Sequence, residues 1–170
     1  KVHYAYHTQR RMPTPGQTNL VTCDERGRIV CFAIQEGKGD LRARILALGA
    51  YARAQALGLP PVQIFDREGT GLAFFAALVA QQTPFITWEK DADAAHLRAL
   101  AEHDFTASVH VNGTDYRLLE ETRACVHVPE GKGKDAAQCF DLRRVVVWNL
   151  RTNHRASVLC WDGQRGLSSA

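Results

Sequence analysis

Asp66, Arg67 and Glu68 follow directly on the short apolar run Val62-Gln63-Ile64-Phe65 and precede Gly69-Thr70-Gly71 and an apolar segment at 72–81. Carboxylates delivered at the C-terminal end of a buried strand, just ahead of a helix, stand where open α/β sheets place their chemistry. Asp66 is the candidate there for holding a divalent metal, with helix capping or a purely structural strand-end role as the simpler reading. Glu68 is better suited to complement a helix N-terminus. Arg67 has two uses, pairing with a carboxylate and touching a phosphate, and the pairing is favoured.

Other reactive residues offer less. Asp24 and Glu25 are adjacent acids, but Asp24-Glu25-Arg26-Gly27 reads as a solvent-exposed hairpin turn. His3 and His7, four apart on a strand pattern, share a face and make a conceivable metal pair, but no third ligand lies nearby in sequence. The five cysteines (Cys23, Cys31, Cys125, Cys139, Cys160) form no Cys-x-x-Cys pair, which argues against a zinc ribbon or a thioredoxin-type site. They read as reduced thiols in the core of a cytoplasmic protein. Glu130-Gly131-Lys132-Gly133-Lys134-Asp135 lacks Walker-A spacing and a strand-then-helix context, so it is not a nucleotide loop.

The bulk numbers allow one domain with a sizeable core in 170 residues, 45% hydrophobic and 23% charged. Net charge is +3, compatible with a nucleic-acid partner without requiring one. No stretch approaches the roughly 18 apolar residues of a membrane span, and Lys1-Val2-His3-Tyr4 is not a signal peptide. A chain that starts without Met is expected to be a processed or excised piece of something longer.

The elements that must position Asp66 follow from local pattern. Residues 1–7 alternate as a strand, and 8–16 form a polar, basic, Pro-containing connection with Arg10 and Arg11. Residues 18–23 and 28–34 make the clearest hairpin of the chain. Asp40 is an N-cap for a helix over 41–57, with Leu41, Ile45 and Leu48 at helical spacing and Gly58 and Pro60 beyond. A strand at 62–65, a helix at 72–81, a strand at 85–88 and an amphipathic helix over 91–103 come next. Strands at 108–111, 116–120, 125–128, 143–149 and 156–161 complete a β-rich last third, with Asn112-Gly113 as a hairpin turn. A strand, a hairpin and then alternating α and β is the layout of a ribonuclease-H-like core, among several α/β arrangements that the pattern allows.

Ile64-Phe65-Asp66-Arg67-Glu68-Gly69, the apolar helix after it and Pro84-Phe85-Ile86-Thr87-Trp88-Glu89-Lys90 together resemble the block around the second catalytic Asp of DDE transposases of the insertion-sequence type (the IS4-like group). Gln9-Arg10-Arg11-Met12-Pro13-Thr14-Pro15-Gly16 with the Gly27-Arg28-Ile29-Val30 hairpin, and Leu150-Arg151-Thr152-Asn153-His154, are similar to that family too. The resemblance covers most of the chain. It implies an α/β fold with a ribonuclease-H-like mixed sheet, flanking helices and a β-rich C-terminal section. Residues 1–105 would form part of the core, and 106–170 a section inserted in it or appended to it.

The resemblance further implies metal-dependent DNA strand cleavage and transfer. Two Mg²⁺ (or Mn²⁺) ions on Asp, Asp and Glu would activate a water or 3′-hydroxyl and stabilise the leaving oxygen. Only Asp66 carries over, as the second carboxylate. The first Asp is expected just before Lys1 and the Glu on a helix beyond Ala170, since Glu89 comes too early to match, so this piece alone is not expected to be active. The partners implied are transposon-end DNA and further copies of the protein, with no membrane. Arg10, Arg11 and Arg67 are candidate DNA contacts, and Arg143, Arg144 and Arg151 could join a DNA-facing surface. Two other readings stand beside this one. The first is an inactive remnant that binds DNA or protein. The second is a small metal-dependent phosphodiesterase using Asp66 with acids such as Asp40 or Glu36.

Overall fold

The computed structural model describes residues 4–7, 12–24, 26–36, 40–55, 62–66, 69–90, 92–132 and 136–163. It is a mixed α/β protein of two compact units, Lys1–Arg44 and Ile45–Ala170. The boundary expected at 105/106 falls inside the second of them.

The first unit holds two antiparallel ladders, β1 (Tyr4–His7) with β2 (Met12–Pro15), and β3 (Gln17–Cys23) with β4 (Ile29–Glu36). The sequence reads 8–16 as a connection; Met12–Pro15 forms a strand, with Tyr4 opposite Pro15 and His7 opposite Met12. Edge strands accept proline, whose missing N–H can face away from the ladder. The β3–β4 turn is organised by Asp24, whose carboxylate accepts from the backbone N–H of Arg26 (3.0 Å) and Arg28 (2.9 Å) and pairs with the Arg28 guanidinium. Helix α1 (Leu41–Gln55) starts where expected: Asp40 accepts from the Ala43 N–H at 3.1 Å. Residues 56–61 lie outside the described ones, and the expected helix end at 57 lies there with them.

The second unit is built on one six-stranded sheet in the order β5-β6-β10-β9-β8-β7. Its strands are β5 (Gln63–Phe65), β6 (Phe85–Trp88), β7 (Ala107–Val111), β8 (Thr114–His127), β9 (Gln138–Asn149) and β10 (His154–Trp161). Among the described strands only β5 and β6 run parallel, joined by the crossover helix α2 (Leu72–Ala80); the other pairs are antiparallel. The β-rich last third therefore shares its sheet with the strand that delivers Asp66, because β10 pairs with β6.

Two expectations change here. The strands expected at 116–120 and 125–128 are parts of one 14-residue strand. No Gly or Pro interrupts 114–127, and all twelve residues from Tyr116 to His127 find partners on β9. The helix expected over 91–103 is only α3 (Ala94–Ala99), followed by a 3-10 turn at Glu102–Asp104. Asp93 caps its start, and Leu100 adopts φ −60° and ψ 129°, which ends it. The Asn112-Gly113 turn forms as read, both residues at positive φ (49° and 73°), joining β7 to β8.

The core lies on the face of the sheet that carries Phe85, Leu159 and Val146, which strand register places together. Phe85 is fully buried and stacks on Phe75 of α2 (5.3 Å between centroids) and on Phe65 of β5 (5.8 Å). Leu97 of α3, Phe105 and Val146 form a second cluster beside Leu119 and Trp148. Arg155 seals that cluster: its guanidinium lies 4.3 Å from the Trp148 ring centroid and 5.6 Å from that of Phe105. It donates to the carbonyls of Leu97 (2.8 Å) and Leu100 (2.7 Å), which the short α3 leaves without helical partners. Arg155→Ala is expected to cost about 2–3 kcal/mol in a denaturant titration, because it removes charge-assisted hydrogen bonds and the cation–π stacking together. Arg155→Lys should recover less than half, since an ammonium cannot stack and fork as guanidinium does.

Candidate functional site

Asp66 is the first residue past β5, at the carboxyl end of the parallel pair, and it is exposed. The chain turns back at once, with the Gly69 N–H donating to the Asp66 carbonyl at 2.9 Å. Gly69 is buried against the Phe65 ring, where an added Cβ would sit 2.6 Å from a ring carbon. Glycine is thus required for a turn this close to the strand it leaves. Phe65 points into the aromatic core, so its neighbour Asp66 is held by a rigid strand end while its own side chain reaches solvent. Arg67 and Glu68, together with Arg10, Arg11 and His3, lie outside the described residues.

A second carboxylate stands at the same end of the sheet. The register pairs Phe65 with Thr87, so Glu89 follows two residues beyond the last parallel pair, next door to the strand that carries Asp66. Unlike that of the exposed Asp66, its side chain is buried. The Glu89 side chain is 6% exposed. It accepts from Arg123 of β8, from Arg144 Nε of β9 at 2.7 Å and from Ser157 Oγ of β10. Its backbone N–H donates to the Ser157 carbonyl at 2.9 Å. Arg144 reaches on to Glu121 at 3.2 Å, and Glu121 meets His96 Nε2 of α3 at 3.1 Å. Glu89, Glu121 and Arg144 line an open cavity of about 520 Å³, which Asp93 and His96 also border.

With two guanidiniums and a hydroxyl on its oxygens, Glu89 has its charge and lone pairs taken by protein groups. It ties the end of β6 to residues within β8, β9 and β10. Among the described residues, no group of three or more His, Cys, Asp or Glu is placed to hold a metal ion. Asp66 belongs to no such group among the described residues. Asp40 is engaged as the α1 cap, and Glu36 ends β4.

The arginines considered for a DNA-facing surface divide. Arg143 donates to Glu120 at 2.7 Å, which holds its guanidinium even more firmly protonated, and Arg144 belongs to the Glu89 network. Arg151 is exposed. All five thiols are free; Cys125 and Cys160 are buried, Cys31 is half-buried, and Cys23 and Cys139 are exposed. Burial pushes the Cys125 and Cys160 thiols up, away from reactive thiolate. The core reading thus holds for two of the five.

Sequence reasoning missed the Glu89 network. The only trace in the sequence is a lone acid after an apolar strand, and its partners lie 34, 55 and 68 residues away.

Asp93 adds a pH dependence. The backbone N–H groups of His96 and Ala95 bond its carboxylate and hold it below its ordinary value of 3.8. A depressed acid contributes stability that is complete above the unfolded-state value and is lost as pH falls through the folded-state value. The gap in urea midpoint between the wild type and Asp93→Ala is therefore expected to be widest at neutral pH and to shrink below pH 3.8. Asp24, held down chiefly by Arg28, adds to the same acid limb.

Compared with known protein families and with curated proteins, the chain matches no family model and no curated protein. No helix among the described residues is long and apolar enough to cross a membrane.

Proposed function

We propose that the chain is part of the catalytic domain of a DDE-type DNA transposase with a ribonuclease-H-like core, in which Asp66 is one of three metal-binding carboxylates. The observation that carries the reading is the β5-α2-β6 unit, which delivers an exposed carboxylate from the end of a strand locked into an aromatic core. The Phe65-Asp66-Arg67-Glu68-Gly69 block that resembles the family falls on this turn.

Mg²⁺ or Mn²⁺ at such a site supplies an activated oxygen nucleophile and stabilises the leaving oxygen of the cut phosphodiester. The role of this chain is positional. Phe65, clamped between Phe74 and Phe85, fixes where Asp66 emerges, and Gly69 lets the chain pass close against the Phe65 ring. Glu89, already neutralised by arginines, holds β6 to its neighbouring strands and is not a ligand. Transposon-end DNA and further copies of the protein are the partners on this reading.

The test begins in the gene. The reading frame that encodes the chain is expected to place an Asp just upstream of Lys1 and a Glu on a helical pattern downstream of Ala170. The protein carrying all three should cut duplex DNA with Mg²⁺ or Mn²⁺ and not with chelator. A frame holding neither acid, or a protein with all three that shows no metal-dependent cleavage, overturns the reading.

A further inference from the structure

We propose that the cavity between α3 and the β9–β10 turn is a phosphate site, with Arg98, Asn153, His154 and Arg155 as its donors. The choice of a DNA backbone phosphate as the occupant rests on the function proposed above. The site itself rests on the geometry and charge of the residues around the cavity.

The cavity is open, measures about 400 Å³, and is lined by Ala94, Leu97, Arg98, Asn153, His154 and Arg155. Short-range bonds hold its walls. The Asn149 side chain accepts from the N–H groups of Arg151 and Thr152, each at 3.0 Å, which closes the β9–β10 turn. Asn153 leaves that turn at φ 55°, a conformation asparagine tolerates, and its Oδ1 accepts from Trp148 Nε1 at 2.9 Å. The bond to Trp148 fixes the carboxamide and leaves Nδ2 as a donor still to be used. Arg155 gives Nη1 to the carbonyls at the end of α3 and lies on the Trp148 ring. Its Nε and Nη2 make no hydrogen bond among the described residues.

Charge then selects the ligand. Among the described residues no carboxylate lines this cavity, and neither Arg98 nor His154, both exposed, is in an ion pair. Asp93, the neighbour of Ala94, accepts from the N–H groups of Ala95 and His96 and borders a different cavity. That other cavity carries Glu89, Asp93 and Glu121, and the one beside β7 carries Asp115. A phosphate needs several N–H donors and no carboxylate facing it, and arginine can meet it with two parallel bonds. The position also suits DNA. Strand β10 runs antiparallel to β6, so its first residue, His154, lies off the end of the sheet at which Asp66 leaves β5.

Two titrations of the 170-residue chain test this. In the first, inorganic phosphate is added at constant ionic strength and the indole N–H resonance of Trp148, identified with Trp148→Phe, is followed by NMR. A saturable shift is expected, because that N–H bonds to the amide that meets the phosphate. Asn153→Asp keeps an oxygen for Trp148 and puts a negative charge where the donor was, so it should abolish the shift. In the second, a fluorescent random-sequence duplex of about 30 base pairs is bound over about 50–200 mM salt. Arg98→Gln is expected to reduce the slope of log K against log salt by about one, and Asn153→Asp to weaken binding about tenfold. Lys132→Gln, at an exposed site in the β8–β9 loop and so at the far end of β9 from the cavity, should change neither result. Circular-dichroism melts of the three variants should overlay that of the wild type, since all three sites are on the surface. No saturable shift in the wild type, or a shift that Asn153→Asp retains, overturns the site. A saturable shift with a duplex slope that Arg98→Gln leaves unchanged overturns DNA as the occupant in favour of a free phosphate. Metal-dependent cutting by the intact protein without the shift would defeat the site and leave the proposed function standing; phosphate binding by a protein that does not cut would do the reverse.

Discussion

Asp66→Asn in the intact protein is expected to lower Mg²⁺-dependent DNA cleavage by about a thousandfold or more, with little change in stability. The amide keeps the size of the side chain and removes the charge a metal ion needs. Asp66 is exposed one residue past β5 and outside the Phe65–Phe74–Phe85 packing, so the substitution leaves the core packing intact. Single-turnover cleavage against metal concentration, with the melt of each variant beside it, reads both. An Asp66→Asn enzyme that cuts at close to the wild-type rate would remove Asp66 from the metal site.

Glu89→Ala is expected to do the reverse, costing about 3–5 kcal/mol of stability in a denaturant titration with an unchanged m-value. Removing this carboxylate leaves Arg144, 14% exposed, as a charge without its closest partner in a poorly solvated place, and also strips Arg123 and Ser157 of their acceptor. Arg123 is 43% exposed and can turn to water, so the larger part of the cost comes from Arg144. Glu120→Ala is the control. Its pair with Arg143 is 47% exposed on the acid side, and such a bridge is worth about 1 kcal/mol or less. Glu89→Gln keeps oxygen and nitrogen in place without the charge and should fall between the two. If Glu89→Ala were as stable as the wild type, the network would be a surface decoration instead of a tie between four strands.

These two carboxylates leave adjacent strands and look alike in sequence: each follows an apolar run, and each is followed by a charged residue. What separates them is burial and the place of their strands in the sheet. Asp66 leaves an edge strand, whereas Glu89 leaves a strand paired on both sides, under two arginines that arrive from β8 and β9. Nothing within a dozen residues of either acid announces that difference.

The features that the sequence by itself determined are those closed by near neighbours. The Asp24 turn, the Asp40 cap, the Asn112-Gly113 hairpin and the succession of β5, α2 and β6 each depend on contacts within a few residues, or on a periodicity that such a window displays. Tertiary structure alone decided what depends on distant partners. The 14-residue β8 is continuous because β9 offers a matching ladder; α3 is short because Leu100 turns away and Arg155, 55 residues later, takes its last carbonyls. The β-rich section joins the sheet of Asp66 through the β10–β6 pairing, between residues as distant in the chain as Val158 and Trp88. Glu89 became a structural tie by the same route: the cost of a buried charge is set by its surroundings, and those are assembled only when the sheet closes.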